Sequence, residues 1–201
     1  MKTPAKIISI IFHPLLMPSL GFLILFNSGT YLAYLPSDYK EKLLIIVLVC
    51  TLVLPLSLIP FFLYRKIIFS VVMPEKHERY IPLVFTLFLY VFCFYMLQRI
   101  RIPPAYHAFC LGCVISVGAA FLITAKWKIS THMIGIGGLT GLVAYLIFYL
   151  QVNLELYLIF IILAGGLTGT SRIILDAHRS SEIYSGFLVG FITIPAVMFI
   201  Y

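Results

Sequence analysis

Seven long apolar segments separated by short polar stretches dominate the pattern of the chain. They lie at about residues 7–28, 43–64, 81–98, 105–125, 132–150, 156–175 and 183–201. A helix needs roughly 20 apolar residues to cross a bilayer core, and lipid cannot satisfy unpaired backbone groups. The pattern therefore predicts an all-α, polytopic transmembrane bundle with a single domain over residues 1–201. Because His13, Pro14 and Pro18 interrupt the first segment, both six and seven spans are compatible with it.

Small residues are concentrated in the fifth and sixth segments. They are Gly135, Gly137, Gly138 and Gly141, followed by Gly165, Gly166 and Gly169. In membranes, small residues allow helix backbones to approach closely. The sequence therefore predicts that the fifth and sixth helices pack against each other as a tight hairpin.

The composition supports the membrane class and excludes several others. Apolar residues make up 62% of the chain and charged residues 10%, whereas soluble domains have about 45–50% and about 25%. This excludes a soluble enzyme, a disordered chain and a disulfide-rich secreted domain. The net charge of +7 is spread over short loops without a basic-aromatic stripe, so we expect membrane lipids and no nucleic acid as partners. Cys110 and Cys113 lie inside an apolar segment and are interpreted as packing residues.

The connections between the segments alternate between two faces of the predicted bundle. Face A holds the N-terminus and the connections around residues 65–80, 126–131 and 171–182; face B holds those around 29–42, 99–104 and 151–155. Face A carries ten of the 14 Lys and Arg residues, namely Lys2, Lys6, Arg65, Lys66, Lys76, Arg79, Lys126, Lys128, Arg172 and Arg179. The positive-inside rule would place face A in the cytoplasm. If four of these cations bind substrate instead, six Lys and Arg residues remain on face A against four on face B. The orientation of the protein in the membrane then stays open.

A polar cluster at residues 171–182 is the most informative part of face A. His178 and Glu182 are four residues apart, so on a helix the carboxylate would lie beside the imidazole. A carboxylate on one ring nitrogen leaves the other nitrogen as a base or nucleophile. Arg172 offers a planar set of donors suited to phosphate oxygens, and Ser171 adds a hydroxyl. The cluster predicts a site for phosphate chemistry at the membrane surface, although an interfacial loop with solvated charges is the simpler alternative.

A second cluster precedes the fifth segment. His132 is predicted at the first turn of that helix, where free N–H groups favour an anion, and Lys128 and Ser130 add donors. A histidine that faces His178 could protonate a departing oxygen. Lys126 and Trp127 are interpreted as interface anchors.

The third cluster lies at residues 74–82. Lys76 and Arg79 are three residues apart and would present two cations on one helical face. A local ion pair between Glu75 and Arg79 is the alternative interpretation of the same residues. Because two crossings separate each cluster from the next, all three are predicted to meet at face A.

Together the clusters resemble the three-part signature of the type 2 phosphatidic acid phosphatase superfamily, which also contains the vanadium haloperoxidases. The matching positions are Lys76-x2-Arg79-x2-Pro82, Ser130-x-His132 and Ser171-Arg172-x5-His178-x3-Glu182. The third motif keeps the family spacing but has Glu182 where the family has Asp. The second keeps only Ser130 and His132 of Pro-Ser-Gly-His, and the first is shorter than the family pattern of Lys, six residues and Arg-Pro.

The resemblance implies a metal-independent hydrolase of the bacterial inner membrane that needs no cofactor. Its substrate would be a phosphorylated lipid, either a polyprenyl phosphate or diphosphate such as that of undecaprenol, or a phosphatidate-like lipid. His178 would attack phosphorus and form a phosphohistidine, Glu182 would orient it and His132 would protonate the leaving group. The phosphate oxygens would be held by Arg172, Ser130, Lys76 and Arg79, and the residues themselves add Lys128 and Ser171 to this set.

Two other functions are considered. The altered first and second motifs are compatible with a catalytically inactive scaffold, a transporter or a subunit of a complex, because a fold does not imply its function. A magnesium-dependent prenyl-transfer enzyme is set aside, since it would need aspartate-rich motifs and Asp38 and Asp176 are predicted on opposite faces.

Overall fold

The computed structural model describes residues 2–71, 73, 75 and 77–201. Over these residues the chain forms helices and no β-strand, and seven helical stretches are long and apolar enough to cross a membrane. The protein is therefore an all-α polytopic membrane protein, as the sequence predicted. The interrupted first segment is long enough to be one of the seven candidate spans.

Nine α-helices make up these spans in the described part of the chain. They are α1 (Lys2–Ile11), α2 (Met17–Phe26), α3 (Ser37–Leu48), α4 (Leu54–Tyr64), α5 (Tyr80–Gln98), α6 (Pro104–Thr124), α7 (Thr131–Leu150), α8 (Glu155–Ile174) and α9 (Ser180–Ile200). The pair α1 and α2 forms one span, the pair α3 and α4 forms the second, and each later helix is a span by itself.

Two spans are interrupted close to prolines. α1 ends at Ile11, and a 3₁₀ turn over Pro14–Leu16 leads into α2. Pro14 cannot donate a backbone hydrogen bond, and the Nδ1 atom of His13 accepts one from the Leu15 N–H at 3.3 Å. A π-helical turn over Val49–Val53 joins α3 to α4 just before Pro55. Residues at or beside these irregular turns, Pro14, Leu15 and Pro55, line a cavity.

The closest helix packing joins α7 to α9, which corrects the predicted hairpin of α7 and α8. A Cβ atom on Gly137 would overlap the backbone of Phe187, and one on Gly190 would overlap the carbonyl oxygen of Ile134. A Cβ atom on Gly166 in α8 would meet nothing within 4 Å. Gly137, Gly138 and Gly141 of α7 therefore serve contact with the last helix, whereas Gly135 faces Met17 and Pro14 of the first span. Eleven of the 20 residues of α7 are buried, more than in any other described helix, which makes it the central helix.

Contacts between distant connections show that face A forms as predicted. The Ser130 N–H donates to the Glu182 carbonyl at 3.2 Å, and Lys2 lies 3.8 Å from Asp176. At the other end of the bundle, Gln98 donates from Nε2 to the hydroxyl of Tyr201 at 2.8 Å. The N-terminal helix and the clusters at 126–132 and 171–182 therefore meet at one end, and Arg79 of the third cluster lines a cavity there with His132 and His178. The C-terminal residue lies at the opposite end.

Candidate active site

A buried pair of side chains, His178 and Glu182, forms the centre of the site. The His178 Nδ1 atom lies 2.8 Å from Glu182 Oε2, and both residues are buried. The same carboxylate oxygen accepts a hydrogen bond from the Arg179 N–H at 3.2 Å. An ionised carboxylate only accepts hydrogen bonds, so Nδ1 carries the proton. The predicted pairing is present.

The local structure that produces this pair differs from the prediction. His178 precedes α9 and is not part of the helix, whereas Glu182 lies in its first turn. The Glu182 side chain reaches back to the Arg179 N–H while the Glu182 N–H donates to the Arg179 carbonyl at 3.0 Å. This resembles the reciprocal bonding of a capping box. The four-residue spacing therefore brings His178 and Glu182 together at the N-terminus of a helix and not along a helix face.

The free nitrogen of His178 is suited to nucleophilic attack. Within the described residues, no hydrogen bond engages its Nε2 atom. Burial lowers the pKa of His178 below its ordinary value; the positive charges of Arg79 and Arg172 lower it further, against the opposing effect of the Glu182 hydrogen bond. The ring is therefore neutral near pH 7, with a lone pair on Nε2.

Two arginines supply positive charge beside His178. Arg79 and Arg172 line the same cavity as His178. The Arg79 Nε–H donates to the Met73 carbonyl at 3.1 Å, which fixes its position. The Arg172 Nε atom is buried without a hydrogen-bond partner, and a buried unpaired donor is costly. An anion in the cavity would satisfy it.

The other residues predicted to bind phosphate differ in their burial and in their hydrogen bonds. Lys128 is half-buried, and burial together with nearby Arg79 lowers its pKa, with Glu182 opposing this shift. Ser130 is fully buried with an unpartnered hydroxyl. The Ser171 hydroxyl donates its only proton to the Leu167 carbonyl at 2.7 Å and so cannot donate to phosphate. Lys76 lies outside the described residues.

His132 stands at the start of α7 and lines the same cavity as His178. Its Nε2 atom lies 3.1 Å from the carbonyl oxygen of Ser9 in α1. A carbonyl only accepts, so Nε2 carries a proton and Nδ1 is the nitrogen left for proton transfer. The two predicted histidines are therefore brought to one cavity, each with one nitrogen held by an acceptor.

The sequence analysis missed the contribution of the N-terminal helix and one buried carboxylate. Lys6, Ser9 and His13 all line the cavity, and the rings of His13 and His132 meet edge to face with centroids 5.6 Å apart. The interruption of an apolar segment by His13-Pro14 was the available signal. Glu78 is buried with one oxygen unpartnered and contributes negative charge near Arg79.

The cavity has a volume of about 670 Å³, within the range typical of small-ligand sites. Its polar end is lined by Lys6, Ser9, His13, Arg79, His132, Arg172 and His178, and none of its described lining residues is acidic. Its apolar part follows α6 from Ala120 to Phe109, which at 1.5 Å per residue is about 16 Å. This is about half the thickness of a bilayer core. The cavity therefore suits an amphiphile with an anionic head and an apolar tail.

In the portion of the chain that the structure describes, no three His, Cys, Asp or Glu side chains are grouped so as to hold a metal ion. No model of a known protein family matches the chain, and neither a curated protein nor a solved structure matches it. The functional interpretation therefore depends on the geometry of the cavity and on the three sequence motifs.

Proposed function

We propose that the protein is a membrane lipid phosphatase that removes phosphate from a polyprenyl phosphate or diphosphate, or from a phosphatidate-like lipid. The observation that carries this proposal is the arrangement at the polar end of the cavity. His178, held by Glu182 through Nδ1, lines one cavity with His132, Arg79 and Arg172. These are a nucleophile, a proton donor and two cations, which is the set that phosphate transfer requires.

The proposed reaction has two steps. In the first, His178 Nε2 attacks phosphorus, the P–O bond to the lipid breaks and His132, which must carry a proton on both ring nitrogens when the substrate is bound, gives its Nδ1 proton to the departing oxygen. In the second, water attacks the phosphohistidine, His132 takes a proton from that water, and the N–P bond breaks to release phosphate. Both histidines return to their starting state, so atoms and charges balance over one turnover.

Positive charge is the main support that the protein gives to this reaction. The transferred phosphoryl group carries negative charge that shifts in the transition state, and donors fixed in advance stabilise it. Arg172 and Arg79 line the cavity. Lys128 lies close enough to both arginines and to Glu182 to interact with them electrostatically. Because the cavity wall is otherwise largely apolar, these charges are weakly screened. The positive side chains of the site therefore attract a phosphate dianion.

The proposed location is the inner membrane of a bacterium. A reporter fused after Tyr201 decides which side holds the site, because this residue lies at the end of the bundle opposite face A. A reporter active in the cytoplasm would place the phosphatase site on the outer side of the membrane. A reporter active outside would place it in the cytoplasm, as the ten lysines and arginines of face A favour.

An inactive scaffold or transporter that binds phosphorylated lipids is the second candidate. The observation that favours it is the His132 Nε2 bond to the Ser9 carbonyl, which occupies one of the two nitrogens of the proposed proton donor. Such a protein would bind a lipid phosphate through Arg79 and Arg172 but would release no phosphate.

Phosphate release by the detergent-purified protein separates the two candidates. Polyprenyl phosphate, polyprenyl diphosphate and phosphatidate serve as substrates. We expect His178→Ala to abolish release and His132→Ala to lower it by about 10²- to 10⁴-fold. His77→Ala, which removes an exposed histidine at the same face, should leave it unchanged. Vanadate, which mimics five-coordinate phosphorus, should inhibit. Activity that survives in His178→Ala would refute the nucleophile assignment, and an inactive wild type that still binds lipid phosphate would favour the scaffold.

A further inference from the structure

The C-terminal end of α1 presents a free backbone carbonyl to His132. The Phe12 N–H donates to the Ile8 carbonyl at 2.9 Å, but the His13 N–H then donates to Ile10 at 3.3 Å. The Ser9 carbonyl is thus left without the usual helical partner, as happens in the last turn of a helix. It accepts the Nε2–H of His132 at 3.1 Å instead. The end of the N-terminal helix is therefore bonded directly to the proposed proton donor.

This contact has an electrostatic consequence. The C-terminus of a helix carries a partial negative charge of roughly half an electron. Placed at Nε2, this charge stabilises the positive form of His132 that exists while a proton waits on Nδ1, against the nearby positive charge of Arg172. Glu182 does the same for His178 with a full charge. Each proposed catalytic imidazole therefore has an acceptor behind it, and the acceptor of His132 is part of the backbone.

His13 supports His132 from a second direction. The two rings meet edge to face at 5.6 Å and 74°. His13 is itself fixed, because its Nδ1 atom accepts the Leu15 N–H at the start of the 3₁₀ turn. A fixed ring packed against His132 limits the rotation of that imidazole.

We propose that α1 completes the active site, and that His13 and the Ser9 carbonyl position His132 as the general acid of the reaction. This inference rests on the proposed phosphatase function. His13 is a positioning residue, since it acts through His132 and performs no chemical step itself. The first span would then contribute to the transfer of a proton in addition to anchoring the chain.

Two substrates of equal chain length distinguish this role from a structural one. The first is an alkyl phosphate, whose alkoxide needs a proton to leave; the second is a nitrophenyl phosphate with an alkyl tail, whose phenolate leaves without one. His13→Asn removes the ring but keeps a side-chain acceptor for the turn, since Asn caps helix starts well. We expect its single-turnover rate of leaving-group release, which precedes the water step common to both substrates, to fall by about 10- to 100-fold with the alkyl phosphate and to stay within about twofold with the aryl phosphate.

His107→Asn is the matched control. The His107 Nε2 atom lies 3.0 Å from the Leu97 carbonyl, so this histidine makes the same kind of bond at face B, far from the site. It should leave both rates unchanged. Equal losses with the two substrates in His13→Asn would overturn the proposal, and so would unchanged rates with both.

A measurement that does not use turnover separates this inference from the proposed function. NMR of the protein labelled with ¹⁵N-histidine reports which ring nitrogen of His132 is protonated. We expect the Nε2–H form in the wild type and a mixture of both forms in His13→Asn. An Nδ1–H form in the wild type would overturn the positioning role. A wild type that has the Nε2–H form but hydrolyses neither substrate would reject the phosphatase function and leave the contact with α1 established.

Discussion

At the scale of single residues, the surroundings of His178 determine what the site can do. One carboxylate holds its Nδ1 atom, and burial and two guanidinium groups keep the ring neutral. Neutral imidazole is the nucleophilic form, and the same cations attract the phosphate. In the proposed reaction, the features that keep His178 unprotonated would therefore also attract the substrate.

The charge of Glu182 is predicted to matter more for turnover than for folding. Glu182→Gln keeps an oxygen that can accept the Arg179 N–H, because Gln serves equally well in a capping box, but it removes the charge that holds His178. We expect kcat for phosphate release to fall by about 10²- to 10⁴-fold, while the melting temperature in detergent changes little. A variant with near wild-type kcat would show that this carboxylate only caps α9.

Stability is predicted to fall in mild acid because of His178. Its folded-state pKa lies below the ordinary value of 6.5, so between these two values the unfolded chain binds a proton that the folded chain does not. The stability due to the neutral ring is complete above pH 6.5 and is lost as the pH falls towards the lowered pKa. Thermal melts in detergent at pH 7.5, 6 and 5 should show a smaller decrease for His178→Gln than for the wild type. Parallel decreases would contradict this.

The sequence predicted the main residues of this site, but it did not predict the groups that hold them in position. His178, Glu182, Arg172 and His132 were predicted because polar side chains between apolar segments are conspicuous. The Ser9 carbonyl could not be predicted, since it belongs to the backbone and its availability depends on where α1 ends. His13 was overlooked because it interrupts an apolar segment and lies more than a hundred residues from its partner. Contacts of this kind depend on tertiary packing.

At the scale of the helices, the boundaries followed from hydropathy but the packing partners did not. Each predicted apolar segment corresponds to one candidate span. The fifth and sixth segments were predicted to pack together because both are rich in small residues, which allow helices to approach closely. Glycine content does not show which way a helix face points, and Gly137 faces Phe187 of α9. Gly186 and Gly190, which complete this interface, follow Glu182 on the same helix and link packing to the site.

The contact of α7 with α9 is predicted to be intolerant of a single methyl group. Gly190→Ala would place Cβ against the Ile134 carbonyl oxygen, and backbone cannot move aside as a side chain can. We expect a loss of about 1–3 kcal/mol or more in the free energy of unfolding, visible as a lower melting temperature and lower yield. Gly166→Ala is the control, because its Cβ would meet open space and alanine favours the helix. Equal melting temperatures for the two variants would contradict the close contact.

At the scale of the whole molecule, the cavity joins the polar end of the bundle to its apolar interior. Residues of every candidate span line it, so the complete site requires all of these spans. This shape predicts selection for substrate by the tail as well as by the head. The 3₁₀ turn that interrupts the first span also lies along the wall of the cavity.

Narrowing the apolar part of the cavity is predicted to discriminate between substrates by chain length. Val117 lines the cavity on α6, whereas Ile115 on the same helix is exposed and does not line it. Because each buried methylene contributes about 0.8 kcal/mol, Val117→Phe should raise KM roughly tenfold for a long-chain lipid phosphate by displacing two of them. A short-chain, water-soluble analogue and the variant Ile115→Phe should show no such change. Equal KM changes for long and short chains would contradict a tail-binding role.

The depth of the cavity has one more consequence. A tail channel that reaches only about half way through the hydrocarbon core, with its polar mouth at a single end, can accept lipids from one leaflet alone. In vesicles whose protein copies all face the same way, hydrolysis should stop once that monolayer is exhausted, and the other monolayer should remain phosphorylated until its lipids flip. If the protein is the proposed phosphatase, the opening of its cavity at a single end would produce a difference in phosphorylation between the two leaflets.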